Sequence, residues 1–306
     1  MRNACPGLLL GLCLMAAMPA GAEDVLVNGC REEDDPHVRL AYCTKLIESG
    51  KSVEEAKAWA SIARGDAYLD DEQYEQAIDN YNEAIRLRPG DAEAWNDRGI
   101  AYAYSGETDK AITDYDTAIR LDPQDALAFN NRGWAYRRKG KYDQALQDLN
   151  MAIRLEPDYA RAYLNRASVY TETSRYEKAL VDYTAALKLR PDSPTYLNAH
   201  CWGLLGVHRA REALPECSRS LSLRPDSADT LDSRGYAYLQ LGDLPAAIAD
   251  FTHALKLDPK MVSSLYGRAV AKERAGDKAG AERDYAAALK LDSDIKAEMV
   301  AQNVLP

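Results

Sequence analysis

A proline recurs every 34 residues along most of this 306-residue chain. The series continues without slippage, and Ser293 takes the place that follows its last member. Its members are Pro89, Pro123, Pro157, Pro191, Pro225 and Pro259. A fixed period of this length is typical of a solenoid, in which each short unit packs mainly against its neighbours. The period therefore predicts one repeat domain, although the length alone would also allow two globular domains.

The composition of the repeat predicts a pair of helices. When the proline is position 32, position 8 is Gly or Ala in six of seven repeats and position 20 is Ala in all seven. Position 24 is Tyr or Phe in five repeats. Positions 4, 8 and 11 share one face of a first helix, and positions 20, 24 and 27 share one face of a second. Small residues at 8 and 20 would let the two helices approach closely.

These positions resemble the tetratricopeptide repeat (TPR) family from residue 58 to about residue 293. The best copy supplies Trp95, Gly99, Tyr102, Ala111, Tyr115, Ala118 and Pro123. The resemblance implies an all-α TPR solenoid, a right-handed superhelix of antiparallel helix pairs. Its seven repeats would span 58–91, 92–125, 126–159, 160–193, 194–227, 228–261 and 262–293.

The N-terminal residues have the pattern of a signal peptide. Arg2 precedes an apolar run over residues 8–17, and Ala20-Gly21-Ala22 forms a small-x-small cleavage site. We expect cleavage after Ala22 and export to the periplasm or cell envelope, with no stable membrane insertion afterwards. An uncleaved signal anchor is the alternative, because the run is near the minimum length that spans a bilayer. The net charge of −10 argues against a nucleic-acid partner, which would require stripes of Lys and Arg.

Four cysteines remain after cleavage, and exported thiols tend to pair. Cys201 and Cys217 occupy positions 8 and 24 of repeat 5. These positions face each other in an antiparallel helix pair that turns near position 15, so we expect a disulfide there. Cys30 and Cys43 are then left for a second bridge, although four cysteines allow three connectivities.

Both ends of the repeat array are predicted to be capped. Residues 23–57 would form a half-repeat with one helix, which begins at Asp35-Pro36 and ends at Gly50. A capping box at Ser52–Glu55 would then begin the next helix. Residues 294–306 would form a C-terminal capping helix with Ile295, Met299 and Val300 on its packing side. A frayed tail is the alternative at that end.

No motif for catalysis or cofactor binding stands out. The sequence lacks the metalloprotease helix, phosphate loop, dinucleotide fingerprint and haem attachment motifs, so we predict neither an enzyme nor a cofactor or metal. His200, Cys201, His208 and Cys217 leave a metal site open as an alternative, and the cysteines leave a thiol-redox protein open.

The resemblance implies that the first helix of each repeat lines a concave groove, where positions 2, 5, 9 and 12 form a stripe. Amide, guanidinium and tryptophan side chains on or beside this stripe suit a peptide backbone, carboxylates and a binding hot spot. The candidates are Asn96, Asn130, Asn131, Trp134, Arg137, Arg138, Arg161, Asn165, Asn198 and Trp202. We therefore expect a non-catalytic scaffold that binds another protein or a peptide. An accessory factor of an envelope or secretion complex is the alternative, and the oligomeric state stays open.

Overall fold

The computed structural model describes residues 22–32, 35–48 and 54–305. In these ranges all regular secondary structure is helical, in seventeen helices. None of these helices is both long and apolar enough to cross a membrane. The predicted signal peptide lies outside the described residues apart from Ala22.

The helices follow the 34-residue period. Two helices precede the repeats, α1 (Ala22–Glu32) and α2 (Pro36–Glu48). The first helix of each repeat, its A helix, is α3 (Glu54–Asp70), α5 (Ala92–Tyr104), α7 (Ala126–Arg138), α9 (Ala160–Glu172), α11 (Pro194–Gly206), α13 (Ala228–Leu241) or α15 (Val262–Arg274). The second, its B helix, is α4 (Tyr74–Leu87), α6 (Thr108–Leu121), α8 (Tyr142–Leu155), α10 (Tyr176–Leu189), α12 (Ala210–Leu223), α14 (Leu244–Leu257) or α16 (Lys278–Leu291). A short helix, α17 (Ile295–Ala301), follows the last repeat.

The helices form two compact units, which meet in sequence between Glu107 and Thr108. The first unit contains α1 to α5, and the second contains α6 to α17. Within each unit, consecutive helices pack against each other from α1 to α5 and from α6 to α16, and α17 packs against α15. This order of packing is the antiparallel helix-pair arrangement that the period predicts.

The N-terminal cap has two helices where the sequence suggested one. Leu26 and Cys30 of α1 are buried against Cys43 and Leu46 of α2, and Ala60 of α3 completes the cluster. The Cys30–Cys43 disulfide joins the two helices, with a Cα–Cα distance of 4.7 Å. The Leu26–Cys30 spacing of four residues places both side chains on one helix face. α1 begins at the predicted cleavage site, and its apolar stripe is too short to be recognised as a helix from the pattern alone.

Each A helix ends in a left-handed residue at position 15 of its repeat. Gly106, Gly140, Gly242 and Gly276 have φ between 69° and 90°. The same position in repeats 1, 4 and 5 holds Glu72, Ser174 and His208, with φ of 56° to 57°. The next backbone N–H then reaches back to the last helical turn, for example from Glu107 to the carbonyl of Tyr102 at 2.8 Å. The turn thus forms with or without glycine.

Positions 8 and 24 determine how closely the two helices of a repeat approach. In repeat 6, a Cβ atom at Gly235 would lie 2.7 Å from the Phe251 ring, so glycine makes this approach possible. In repeat 5, a disulfide between Cys201 and Cys217 takes the place of that contact, with a Cα–Cα distance of 5.6 Å and both residues fully buried. Repeat 5 thus has a covalent link where its neighbours have aromatic packing.

A buried ion pair also ties the A helix to the B helix. In repeats 3, 4, 6 and 7, Arg at position 7 reaches Asp at position 23 at 2.7 Å. Repeat 5 replaces the pair with His200 and Glu216, whose atoms are 3.9 Å apart. Burial lowers the pKa of His200, so this imidazole favours its neutral form. Repeat 5 therefore departs from its neighbours at two adjacent packing positions.

The C-terminal helix differs from its expected packing by one residue. Ile295 and Met299 of α17 are buried, at 3% and 1% exposure, whereas Val300 is 60% exposed. Residues four apart share a helix face, but Val300 lies about 100° around the helix from Met299.

Candidate functional site

A cavity of about 640 Å³ opens on the A-helix surface of the second unit. Much of its wall comes from the A helices, at positions 2, 5 and 9 of the predicted groove stripe and at positions 1 and 6 beside it. The residues from α9, α11 and α13 are Leu164, Ser168, Thr195, Asn198, Ala199, Trp202, Asp229, Asp232 and Ser233. The rest of the described lining comes from α15, from Tyr183 of the B helix α10 and from residues 292–302.

The lining of this cavity is acidic. Asp229, Asp232, Asp292 and Glu298 contribute four carboxyl groups, and no Lys, Arg or His of the described part of the chain lines it. The Asp229 charge contributes to the raised pKa of Asp232, and a cation beside these two carboxyl groups would relieve this repulsion. The cavity therefore suits a positively charged group.

Asp232 is the most deeply placed of these carboxyl groups. It is 6% exposed and accepts a hydrogen bond from the Ser264 hydroxyl at 2.5 Å. Burial raises the pKa of Asp232 to about 7, against the effect of the serine hydrogen bonds. A carboxyl group with such a pKa changes charge near neutral pH.

Trp202 and Asn198 both lie on α11, four residues apart, and both line the cavity. The Trp202 ring meets the Tyr236 ring edge-on, with centroids 5.8 Å apart, which fixes its orientation. The Asn198 Oδ1 atom is buried, and no group in the described part of the chain donates a hydrogen bond to it. A buried acceptor of this kind is costly unless a ligand or water supplies the donor.

The chain's own C-terminal segment also lies on this surface. Gln240 Nε2 donates hydrogen bonds to the Val304 carbonyl at 2.9 Å and to the Leu205 carbonyl at 3.0 Å. Asn303 donates to the Gly206 carbonyl at 3.0 Å, and the Tyr176 hydroxyl donates to the Ala301 carbonyl. Side chains of the B helix α10 and the A helix α13 thus donate to backbone carbonyls at the end of α17 and after the turn that follows it, and the end of α11 accepts a hydrogen bond from that turn.

The other predicted groove residues of the second unit interact largely with one another. Asn165 donates to Asn130 at 2.8 Å, and Asn130, which is 1% exposed, donates to Asn131 at 3.2 Å. The Arg138 guanidinium lies 5.0 Å from the centroid of the Trp134 ring. This set lies on α7 and α9, whereas the cavity is lined by α9 and the A helices that follow it.

Three predicted residues remain. Arg137 pairs with Glu172 at 3.6 Å, and Arg161 is exposed at the start of α9. Asn96 belongs to the first unit, is 2% exposed and donates to Asp97 at 3.2 Å. Of the ten candidates, the structure places Asn198 and Trp202 in the cavity wall.

The acidic residues were missed because the sequence analysis weighed Asn, Arg and Trp side chains within the stripe. Asp229 and Asp232 occupy positions 2 and 5 of repeat 6, so the same stripe contained the signal. A test for charge at those positions in every repeat would have found them. The part played by residues 295–305 had no comparable signal, since nothing in the repeat predicts where a chain end returns.

The first unit has a related feature on α3 and α5. Burial raises the pKa of Asp66 to about 6 and, with the nearby Asp66 carboxyl group, raises the pKa of Asp97 to about 8. Asp66 accepts a hydrogen bond from the Tyr81 hydroxyl at 2.8 Å. These two carboxyl groups therefore keep protons more readily than a solvent-exposed aspartate.

The alternative metal site is not assembled. Cys201 and Cys217 are bonded to each other and offer no thiolate. Across residues 22–32, 35–48 and 54–305, no three His, Cys, Asp or Glu side chains lie together as potential metal ligands.

Stacked A and B helices with a cavity on the A-helix surface define an all-α repeat scaffold. Models of the tetratricopeptide repeat match residues 62–126, 114–147, 133–173, 160–193 and 233–294. The chain belongs to the TPR family, as its sequence indicated. The matches leave the whole of repeat 5, with its disulfide, outside their ranges.

Solved structures share the fold at low sequence identity. The Cut9–Hcn1 hetero-tetramer of APC/C aligns with a TM-score of 0.69 and 18% identity, over 93% of this chain and 54% of that one, so the present chain spans about half its length. The pilF protein of Pseudomonas aeruginosa has a TM-score of 0.62 and 20% identity, over 74% and 99% of the two chains. A tetratricopeptide repeat protein from Parabacteroides merdae has 0.63 and 16%, over 82% and 98%. Among curated proteins, no relative matched the sequence.

Proposed function

We propose that this protein is a non-catalytic scaffold that binds a segment of another protein on the A-helix surface of its second unit. The observation that carries the proposal is the cavity formed by the stripe positions of repeats 4 to 6 and by α15 and α17. The hydrogen bonds that Gln240 and Tyr176 donate to backbone carbonyls support a peptide as the ligand, because these contacts need no particular side chain.

The partner segment carries a basic side chain. The cavity offers four carboxyl groups, the Trp202 ring and the unpaired Asn198 acceptor. A Lys or Arg side chain supplies hydrogen-bond donors, a positive charge and a group that stacks on tryptophan. This partner differs from the one that the Arg candidates suggested, since guanidinium groups favour carboxylates.

Selection from a displayed library of random peptides, with the full chain as the target, tests the proposal. We expect the selected peptides to be rich in Lys or Arg. Asp229→Arg should weaken their binding about tenfold or more, because it reverses an exposed charge at the cavity. Asp226→Arg is the matched control: it is also exposed, lies three residues earlier and is outside the cavity lining.

Two results would contradict the basic-partner proposal. One is a selected set without basic residues. The other is equal weakening by Asp229→Arg and Asp226→Arg, which would show a general effect of net charge. Titration of a labelled peptide, followed by fluorescence anisotropy at fixed salt, provides the affinities.

We further propose that the scaffold acts after export, in the periplasm or cell envelope. The signal-peptide pattern of residues 1–22 supports this location, and the two disulfides are compatible with an oxidising compartment. An accessory factor for assembly of an envelope complex is a specific form of the same binding function.

A further inference from the structure

Residues 295–305 are buried by the repeats rather than left as a chain end. Ile295 and Met299 of α17 are 3% and 1% exposed, and Val304 is fully buried. All three belong to the apolar cluster that contains Leu205, Tyr236 and Leu239. The segment therefore contributes apolar contacts that are typical of a bound ligand or a core element.

The segment's partners lie far back in the chain. Its hydrogen bonds join it to Tyr176 of repeat 4, Gly206 of repeat 5 and Gln240 of repeat 6, at sequence separations of 125, 97 and 64 residues. The sequence predicts a C-terminal capping helix, and such a helix has to shield only the last repeat. Here the segment contacts α15 and then continues over three earlier repeats.

The segment also lines the cavity in which we propose that the partner binds. Asp292, Ile295, Glu298, Met299 and Gln302 line that cavity together with Trp202 and Asp232. Gln302 also lies in a small gap with Tyr176 and Trp202. Any polypeptide that contacts the whole A-helix surface of repeats 4 to 6 therefore meets residues already in place there.

We propose that residues 292–305 are an internal ligand of the A-helix surface, and that a partner segment binds by displacing them. This inference rests on the proposed function. The segment also defines the partner's form: a helix of about two turns with apolar side chains four residues apart, followed by a turn. The backbone carbonyls of Ala301 and Val304, at the end of the helix and after the turn, accept hydrogen bonds from Tyr176 and Gln240. The basic side chain of the partner enters beside Asp229 and Asp232, which stay on α13, whereas the carboxyl groups of Asp292 and Glu298 leave with the segment.

Tethering explains why the free site would be hard to observe. A ligand attached by a short linker acts at an effective concentration of roughly millimolar. A free peptide of the same sequence then competes poorly, even if its own affinity for the surface is moderate. Loosening the attached segment should expose the site to the free peptide.

The experiment uses the full chain and a labelled synthetic peptide of residues 292–306. Met299→Asp places a charge at a buried position of α17, and Val300→Asp places the same charge at a position that is 60% exposed. We expect the peptide to bind the Met299→Asp protein at least about tenfold more tightly than the wild type, because the tethered competitor is weakened. The Val300→Asp protein should behave as the wild type does.

Two further measurements keep the result interpretable if Met299→Asp also disturbs the repeats. Tyr176→Phe combined with Gln240→Ala removes hydrogen bonds from the receiving surface, so it should both release the attached segment and weaken the free peptide. Hydrogen exchange of residues 295–305, followed by mass spectrometry, reports release without any partner. Faster exchange in these residues, with unchanged exchange in α11 and α13, is the expected result for Met299→Asp.

The two proposals fail in different ways. If the selected basic peptides bind wild-type and Met299→Asp proteins equally, the internal ligand is wrong and the binding function stands. If the 292–306 peptide binds only the Met299→Asp protein while no basic peptide is selected, the internal ligand stands and the basic partner is wrong. A concentration-dependent dimer of the wild type, lost in Met299→Asp, would overturn the internal arrangement, since the segment would then be exchanged between copies.

Discussion

Asp232 is the side chain that links the fold to the chemistry of binding. Its pKa is raised to about 7 by burial, so the carboxyl group is mostly ionised at pH 8 and mostly protonated at pH 6. Because the cationic partner is attracted by the ionised form, its affinity should fall severalfold between pH 8 and pH 6. The measurement is peptide anisotropy across this range with the selected basic peptide.

The Asp232→Asn variant tests whether Asp232, rather than another titratable group, causes the pH dependence of peptide binding. It retains the shape of the side chain and cannot ionise, so affinity should be low and nearly independent of pH between 6 and 8. Asp226→Asn, an exposed neighbour outside the cavity, should keep the wild-type profile. A wild-type profile in Asp232→Asn would assign the pH dependence to another group.

Single side chains were also where prediction from sequence was weakest. Helix periodicity put positions 2, 5 and 9 on one face of each A helix, and residues at these positions line the cavity. It did not show that Asn96 and Asn130 would be 2% and 1% exposed, because exposure depends on the neighbouring helices. Nor did it show that Asn130 and Asn165 would pair with each other across two repeats.

At the scale of elements, repeat 5 departs most from its neighbours. It has a disulfide in place of aromatic packing, a His–Glu contact in place of the Arg–Asp pair, and Pro215 inside its B helix. Proline removes one helical hydrogen bond and disfavours the helix interior. The covalent link therefore supports a helix pair whose other contacts are weaker than those of repeats 4 and 6.

Removing this link should destabilise the second unit. A bridge between residues 16 apart contributes about 3 kcal/mol in the chain-entropy model. Cys201→Ser with Cys217→Ser should cost more than Cys201→Ala with Cys217→Leu, because two buried hydroxyl groups would lack partners. Urea unfolding followed by Trp202 fluorescence, together with hydrogen exchange in α11 and α12, measures both effects.

The two double variants show whether the covalent link or the apolar packing at these positions contributes more to stability. If the Ala/Leu variant is as stable as the wild type, apolar packing can replace the bridge and the covalent link contributes little. Reduction of the wild type under native conditions is the control that leaves the sequence unchanged. The loss of stability there should be smaller than in the Ser variant, because a buried thiol behaves as a small apolar group and carries no hydroxyl penalty.

The order of helices in the repeats was predictable because most copies carry the same local sequence signals. Gly or Ala at position 8, Ala at position 20 and proline at position 32 occur together in five of the seven copies, so the local signals agree with one another. The two ends were less predictable. α1 depends on contacts with α2 that include the Cys30–Cys43 bridge, and α17 depends on side chains more than 60 residues away. Contacts of that range leave no periodic trace in a sequence.

For the molecule as a whole, export and disulfide formation make one joint prediction. When the full chain is produced in a bacterium with a periplasm, the mature protein should lack residues 1–22 and be four hydrogen atoms lighter than its reduced form, because two bridges have formed. Intact mass spectrometry, with and without reduction, measures both properties. Leu9→Arg with Leu12→Arg interrupts the apolar run and should leave the protein uncleaved and reduced in the cytosol.

The uncleaved mass in wild-type periplasmic material would support the signal-anchor alternative, and four free thiols in that material would contradict both bridges. Production of residues 23–306 in the cytosol is the matched control: it should give four thiols and a lower urea midpoint, because the link in repeat 5 and the link between α1 and α2 are then both absent.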